Sequence, residues 1–257
     1  MTIALAILGA SGKMGRRILQ LAQKDLCFCI SGVGSRKNTS ELSVDLIDAH
    51  GKKIPFSSDP MSTVENCDVA IDFTSVDATQ NHLEAAMSAG KALVIGTTGH
   101  SSEAKKAIEG AARVIPILFS PNFSFGIALC LEIAAHLGRA LFSTCTIDIL
   151  ETHHIHKKDR PSGTALALAH AIGKGKPVLE NDSMQPRDKN EIVLHSIRSG
   201  EAIGEHSLIF ECGHERIELK HTAHSRDAFA QGALLGAKFL AGKPPGLYSL
   251  RDLFIFK

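Results

Sequence analysis

Three histidines, two lysines, one arginine and two acids fall within seventeen consecutive positions, 151–167, with the sequence ETHHIHKKDRPSGTALA. Histidine gains and loses a proton near neutrality. Lysine carries a compact charge that holds an anion and can also give up a proton. The helix formers after Pro161 read as a helix start, since proline suits a first helical turn, where its missing N–H would have no partner. The N–H groups of Gly163 and Thr164, with the hydroxyls of Ser162 and Thr164, would then form a cradle of carboxylate size. Lys157 would add a full charge. A well-capped helix without a ligand is the alternative. A metal centre fits poorly. His153 and His154 are neighbours on a strand pattern and so face opposite ways. There is no HExxH-type helical pair, and Lys157, Lys158 and Arg160 repel a divalent cation. No metal is expected. Proton carriers beside an anion cradle suit a reaction in which hydride adds to a polarised double bond and the resulting anion takes a proton.

A hydride cofactor has its own motif. GASGKMG, residues 9–15, follows an apolar strand and opens a helical stripe. Glycines at 9, 12 and 15 permit a sharp turn and close approach to a pyrophosphate, and a helix N-terminus offers free N–H groups. The spacing is GxxGxxG rather than GxGxxG, and a purely structural turn is the other reading. The strand–turn–helix setting favours a dinucleotide site. The second strand ends in GVGSRKN, with no acid to meet a ribose 2′-hydroxyl. Ser35, Arg36 and Lys37 would instead favour a 2′-phosphate, so NADPH is expected over NADH. DFTS (72–75), GTTG (96–99) and SPNF (120–123) close further strands, at the edge where ligands bind in an open α/β sheet. Small residues there would let a nicotinamide lie close to the backbone, and Asn122 could hold a carboxamide or the substrate.

These motifs need elements to hold them. Residues 3–8, 26–33, 68–73, 92–99 and 113–120 read as strands, and 13–24, 78–90 and 102–112 as helices between them, with Gly90 supplying a helix end. The alternation implies an α/β fold, an N-terminal Rossmann-type doubly wound parallel sheet. Next come a helix at 125–139, a strand at 145–154, the helix near Pro161 and a polar, loop-like stretch at 174–190. Three β-patterned stretches follow at 191–198, 203–211 and 214–222, and their short links suggest antiparallel pairing. A last helix covers 226–241. The expected plan is a dinucleotide-binding domain of residues 1–124 and 227–257. A substrate-binding domain of residues 125–226 would be α+β with a mixed, mainly antiparallel sheet.

Composition sets bounds on function. The 257 residues are 44% hydrophobic and 21% charged, ordinary values for one large or two small globular domains. A net charge of +1 argues against a general nucleic-acid binder. No apolar run reaches the ~18 residues of a membrane span, and the N-terminal run reads as a first strand rather than a signal peptide. The six cysteines form no CxxC pair and mostly sit in apolar runs. They read as reduced thiols of a cytoplasmic protein rather than a disulfide framework. His195, His206, His214, His221 and His224 are scattered over the β-rich stretch and read as surface or interface residues. Arg226 could reach a pocket, or pair with Asp227 or Glu218.

Residues 151–165 fit the pattern E-x-H-H-x-x-K-x-D-x-P-S-G-T-A, which resembles the signature of the dihydrodipicolinate reductase family of diaminopimelate and lysine biosynthesis. GASGKMG, IDFT, GTTG, NFS, GEH (204–206) and HTAHSRDAFAQGAL (221–234) extend the resemblance over nearly the whole chain. It implies reduction of 4-hydroxy-tetrahydrodipicolinate to tetrahydrodipicolinate with NADPH, or with NADH as second cofactor. It implies that Gly9, Ala10, Ser11, Gly12, Lys13 and Met14 wrap the pyrophosphate and that Ser35 and Arg36 meet the adenosine ribose. Phe73, Thr74, Gly96, Thr97, Thr98, Ser120, Pro121, Asn122 and Phe123 would complete the cofactor site. His153 would be the acid/base residue and Lys157 the proton donor, with His154, Ser162, Gly163 and Thr164 holding the dicarboxylate. The resemblance also implies a homotetramer joined through the sheet of the second domain. The chain departs from the family at Ser35, where many members carry an acid that serves both cofactors. It departs too at Arg160, where alanine is usual and a solvent-facing side chain is expected, and at Ser120-Pro121, where small residues are common.

Overall fold

Apolar runs without alternation make strands buried on both faces, and the first half of the chain is rich in them. The structure, a computed structural model, describes residues 2–35, 46–179, 187, 188 and 190–254. Arg36 and Lys37 lie outside the described residues. The chain begins with β1 (Ile3–Leu8), α1 (Lys13–Ala22), β2 (Phe28–Gly34), β3 (Phe56–Ser57), α2 (Pro60–Val64) and β4 (Val69–Asp72). It continues through α3 (Val76–Ala89), β5 (Ala92–Ile95), α4 (Ser102–Ala111) and β6 (Pro116–Phe119). Then follow α5 (Phe125–Leu141), β7 (Thr146–His153), α6 (Gly163–Ala171), β8 (Lys176–Leu179), β9 (Glu191–Arg198), β10 (Glu205–Glu211) and β11 (Arg216–Thr222). The last elements are α7 (Asp227–Leu240), β12 (Gly246–Tyr248) and a short 3₁₀ turn. Contacts divide the chain into two compact units, 1–124 with 227–257, and 125–226.

In the first unit seven strands run in the order β12-β6-β5-β4-β1-β2-β3, every neighbouring pair parallel. β4 and β5 are buried at every position, as strands covered on both faces must be. The chain steps from β1 to β2 on one side and to β4 on the other, so the end of β1 is the point where strand order reverses, the usual place for a ligand in such sheets. α3 ends at Gly90 in the left-handed region (φ 65°), which glycine adopts without a steric penalty. α1 packs on α7. Arg17 on α1 grips Asp227 through two bonds of 2.6 and 2.5 Å.

The second unit holds a five-stranded sheet in the order β11-β10-β7-β9-β8. β10 pairs antiparallel with β11 and β7, whereas β9 pairs parallel with β7 and β8. β9 and β10 are therefore not a hairpin, because β7 lies between them. The turn after β9 explains this. Ser199 donates its N–H to the His153 carbonyl and Ile155 donates to Gly200, so the turn docks on the end of β7. Part of the stretch read as a loop at 174–190 is β8, an edge strand whose extension comes from pairing with β9. Ile147, Ile149, Ile192, Leu194, Leu208 and Phe210 form one buried face, packed with residues of α5 and α6 such as Ala134 and Leu168.

Two local expectations are corrected. Cys145 and Cys212 are disulfide-bonded rather than free thiols. β7 and β10 pair with Thr146 opposite Glu211, and the two cysteines are the next residues outward on each strand, so antiparallel pairing brings together side chains 67 positions apart. Pro161 does not enter the helix. Ser162 is the N-cap of α6, its hydroxyl accepting the Ala165 N–H at 3.1 Å, and a cap side chain of this kind sets the first helical residue at Gly163.

Candidate active site

The loop leaving β1 is shaped by its own backbone. Gly9 and Ala10 donate N–H bonds to the Gly34 carbonyl at 2.8 and 3.0 Å, and Gly12 donates to Gly9 at 2.9 Å. Gly9 has φ +76°, and a Cβ on Gly15 would lie 2.1 Å from the Gly9 carbonyl oxygen, so only glycine lets α1 approach this turn. With those groups spent, the start of α1, at Lys13 and Met14, is where helical N–H groups lack an intrahelical partner and could serve an anion. Gly12 caps that end without a side-chain bond and no acid stands in the first turn, which leaves the positive end of the helix to an anion.

A cavity of about 440 Å³ opens here, with Gly9, Ser11, Gly12, Ser35, Phe73 and Thr74 in its wall. The size falls within the range of cofactor pockets. The Ser11 and Ser35 hydroxyls meet at 2.6 Å. A glycine-lined cradle at a bare helix end, with a hydroxyl rather than an acid at position 35, fits a dinucleotide phosphate. The neighbouring strand ends interlock. Buried Asp72 accepts the Thr74 hydroxyl at 2.5 Å and its N–H at 3.0 Å. Thr97 accepts the same N–H at 3.1 Å, and a Cβ on Gly96 would strike the Phe73 ring at 2.2 Å. Phe73 meets Phe123 edge-on with centroids 5.0 Å apart. Gly96 and Thr97 thus adjoin the cavity without lining it, and Thr98 next to them is exposed. The turn from Ser120 to Phe123 is tied internally: Ser120 donates its hydroxyl to the Asn122 carbonyl at 2.6 Å, and the Asn122 Oδ1 accepts the Ser124 N–H at 2.8 Å. Pro121 is exposed and the Phe123 side chain is core.

In the second unit the buried face of the sheet changes character along its length. On β7 the apolar row Ile147, Ile149 runs on into Glu151 and His153, on β9 Ile192 and Leu194 run on into Ser196 and Arg198, and His206 precedes Leu208 and Phe210 on β10. Pairing sets Glu151 opposite both His206 and Ser196, and His153 opposite Arg198. A polar cluster therefore sits at one end of an otherwise apolar face. Glu151 has no solvent exposure. It accepts a hydrogen bond from the His153 Nδ1, two from Arg198 at 2.9 and 3.0 Å, and the Ser162 N–H at 3.3 Å. Burial alone would push the Glu151 carboxyl up, but the bonds from His153 and Arg198 outweigh it and hold it at about 2. His206 lies edge-on to His153 with ring centroids 5.2 Å apart and meets the Ser162 hydroxyl at 3.3 Å. Burial, with His153 nearby, pushes His206 down to about 3, so it is neutral.

The remaining residues of the motif surround this cluster. The Lys157 ammonium pairs with Asp159 at 2.9 Å, and that bond, ahead of burial, lowers the Asp159 carboxyl. Gly163 is exposed at the first position of α6, where a helical N–H has no intrahelical partner, beside half-buried Thr164. His154 sits just beyond β7, half-buried. Arg160 is exposed, as expected, and also reaches the Ser196 carbonyl at 2.5 Å. The structure thus gathers His153, Ser162, Gly163 and Thr164 at one helix start. The sequence reading gave no role to Glu151 or Arg198 and read His206 as a surface or interface residue. His206 is buried because its partners arrive by strand pairing. The alternation of buried positions on β7, β9 and β10 is the signal that could have found all three. Among the described residues no group of three or more His, Cys, Asp or Glu side chains is placed to hold a metal, and no helix is long and apolar enough to cross a membrane.

Two family descriptions match the chain, dihydrodipicolinate reductase N-terminus over residues 3–123 and dihydrodipicolinate reductase C-terminus over residues 126–254. A 4-hydroxy-tetrahydrodipicolinate reductase of Methanopyrus kandleri is 39% identical over 98% of this chain and 96% of its own length. Another, of Magnetococcus marinus, is 35% identical over 100% of both chains. Of solved structures, the dipicolinate-bound dihydrodipicolinate reductase of Paenisporosarcina sp. TG-14 has a TM-score of 0.80 at 23% identity, covering 99% of this chain and 100% of that one, a likeness of fold. Both halves of the chain and its full-length relatives agree: it belongs to the dihydrodipicolinate reductase family of oxidoreductases.

Proposed function

We propose that the chain reduces 4-hydroxy-tetrahydrodipicolinate to tetrahydrodipicolinate in the diaminopimelate route to lysine, as a homotetramer, using NADPH in preference to NADH. The observation that carries this reading is the buried pairing of His153 with Glu151 beside the N-terminus of α6. An ionised carboxylate only accepts hydrogen bonds, so the His153 proton next to it sits on Nδ1 and Nε2 is the atom that exchanges protons. The N–H groups of Gly163 and Thr164, the Ser162 and Thr164 side chains and His154 suit a dicarboxylate. Lys157 adds charge and is the proton donor of this reading. A bound carboxylate would compete with Asp159 for its ammonium.

A nicotinamide dinucleotide, when bound, supplies the hydride. Gly9, Ala10, Ser11, Gly12, Lys13 and Met14 would hold its pyrophosphate, with Gly9 and Ala10 giving shape and the start of α1 giving donors. Phe73, Thr74, Gly96, Thr97, Thr98 and Ser120–Phe123 would form the rest of the rim. Ser35 in the cavity wall, with Arg36 next in sequence, favours a 2′-phosphate over a bare ribose. The sheet of the second unit is proposed to join the tetramer.

The test follows oxidation of NADPH and NADH in parallel, by loss of nicotinamide absorbance, with freshly generated 4-hydroxy-tetrahydrodipicolinate. Faster turnover with NADPH is expected. Comparable rates would keep the reductase and discard the preference. No oxidation of either cofactor, with cofactor binding intact, would overturn the substrate assignment.

A further inference from the structure

Burying a carboxylate is expensive unless its oxygens are fully paired. A third apolar residue after Ile147 and Ile149 would continue the sheet face at no such cost, yet the position holds Glu151. Its two oxygens are engaged from three directions. Arg198 on β9 grips them in a two-pronged arrangement, Nη2 to Oε1 at 2.9 Å and Nη1 to Oε2 at 3.0 Å. The same guanidinium is anchored by the carbonyls of Asp159 at 2.6 Å and Ile197 at 2.7 Å, so it fixes the carboxylate in place. Oε2 accepts the His153 Nδ1–H, and Oε1 accepts the N–H of Ser162, the cap of α6. One carboxylate thus ties the imidazole to the helix start that forms the anion cradle. At the far side of the imidazole stands a glycine. A Cβ on Gly204 would lie 3.1 Å from the His153 Nε2, closer than ordinary contact.

We propose that Glu151, clamped by Arg198, is the positioning residue of the proton-transfer centre: it fixes the Nδ1–H tautomer of His153, leaves Nε2 as the exchanging atom and holds that ring in register with the N-terminus of α6. The proposal rests on the reductase reading for the role of His153 and deepens it. The charged and titratable groups around the ring come from every packed element: Arg198 on β9, His206 on β10 with His221 of β11 acting on it, and Lys157 and Asp159 in the segment before α6. An amide at position 151 could present either an oxygen or an N–H to Nδ1, and so would lose control of the tautomer.

The experiment compares wild type with Glu151→Gln and Glu151→Asp by nitrogen-15 NMR of the His153 imidazole and by steady-state kinetics. Wild type is expected to show the Nδ1–H tautomer when neutral. Glu151→Gln is expected to show a mixture or the Nε2–H form, with kcat down about 100-fold and KM for the acid within about threefold. Glu151→Asp should recover part of both readouts. Arg198→Lys keeps the charge and loses the two-pronged grip, and serves if Glu151→Gln does not fold. It should lower kcat about tenfold and loosen the tautomer. An unchanged tautomer or an unchanged kcat in a folded variant would overturn the proposal, as would a loss confined to KM. The spectra need neither substrate nor cofactor. A wild-type protein inert toward the acid would therefore sink the reductase reading separately from the tautomer result.

Discussion

At the end of β1 the sheet opens onto a cradle of backbone; at the end of β7 it closes on a cluster of side chains. The first place is made by what is missing, since a Cβ at Gly15 would collide with the Gly9 carbonyl, and α1 begins without an acid or a capping side chain. The second is made by what is added, a glutamate, an arginine and two histidines where the same buried rows carry isoleucine, leucine and phenylalanine. A backbone site carries a fixed partial charge and cannot titrate, which suits a phosphate that is charged throughout the working pH range. A side-chain cluster can hold one group ionised, one neutral and one exchanging, which suits a proton transfer. Glu151 near 2 and His206 near 3 have both given up their protons, the one charged and the other neutral, and His153 touches both.

That contrast can be broken at either place. His153→Gln is expected to have the largest effect, a fall in kcat of about 10³-fold with little change in KM, read from steady-state rates. Comparable loss in KM alone would make His153 a ligand rather than a proton carrier. Gly15→Ala should act on the other place through sterics. The added methyl meets backbone atoms at 2.1–2.9 Å, an overpacking cost of about 1–3 kcal/mol in denaturant unfolding, with dinucleotide affinity falling in the same variant. The pH dependence of stability should sharpen the comparison. His206 has its folded value depressed to about 3 from 6.5. The unfolded chain therefore binds this proton first, and stability is full above pH 6.5 and lost as pH falls from 6.5 toward 3. Glu151, depressed to about 2 from 4.5, keeps its contribution above pH 4.5 and loses it as pH falls toward 2. His206→Gln should flatten the upper part of that curve, and an unchanged slope would mean another group carries it. The smallest effect is expected at Gly163, where a Cβ meets open space. Gly163→Ala should leave unfolding within ~0.5 kcal/mol of wild type while weakening the acid's KM severalfold.

Contiguity decided what could be read in the sequence. GASGKMG is a loop of consecutive residues between a strand and a helix, and the structure keeps it as that. The helix start after Pro161 was legible for the same reason, one residue from where Ser162 caps it. The groups gathered around His153 come from elsewhere: Arg198 is 47 positions from Glu151 and His206 is 44 from Ser162. Strand pairing joins them, and nothing local announces the register. β8 and β12 escaped notice because short edge strands owe their extension to a neighbour more than to their own residues. The pairing of Cys145 with Cys212 was hidden likewise, being a fact about β7 beside β10.

That bond also bears on how reliably the histidine cluster is put together. Side chains on a strand alternate, so a slip of one residue between β7 and β10 would turn Glu151 and His153 away from the face they share with His206. The two sulfurs stand at one end of this strand pair, and the Glu151–His206 register at the other. A slipped pair would leave the sulfurs out of step and unable to join. The staple is thus a check on assembly: the bond can close only in the alignment that also lines up Glu151, His153 and His206.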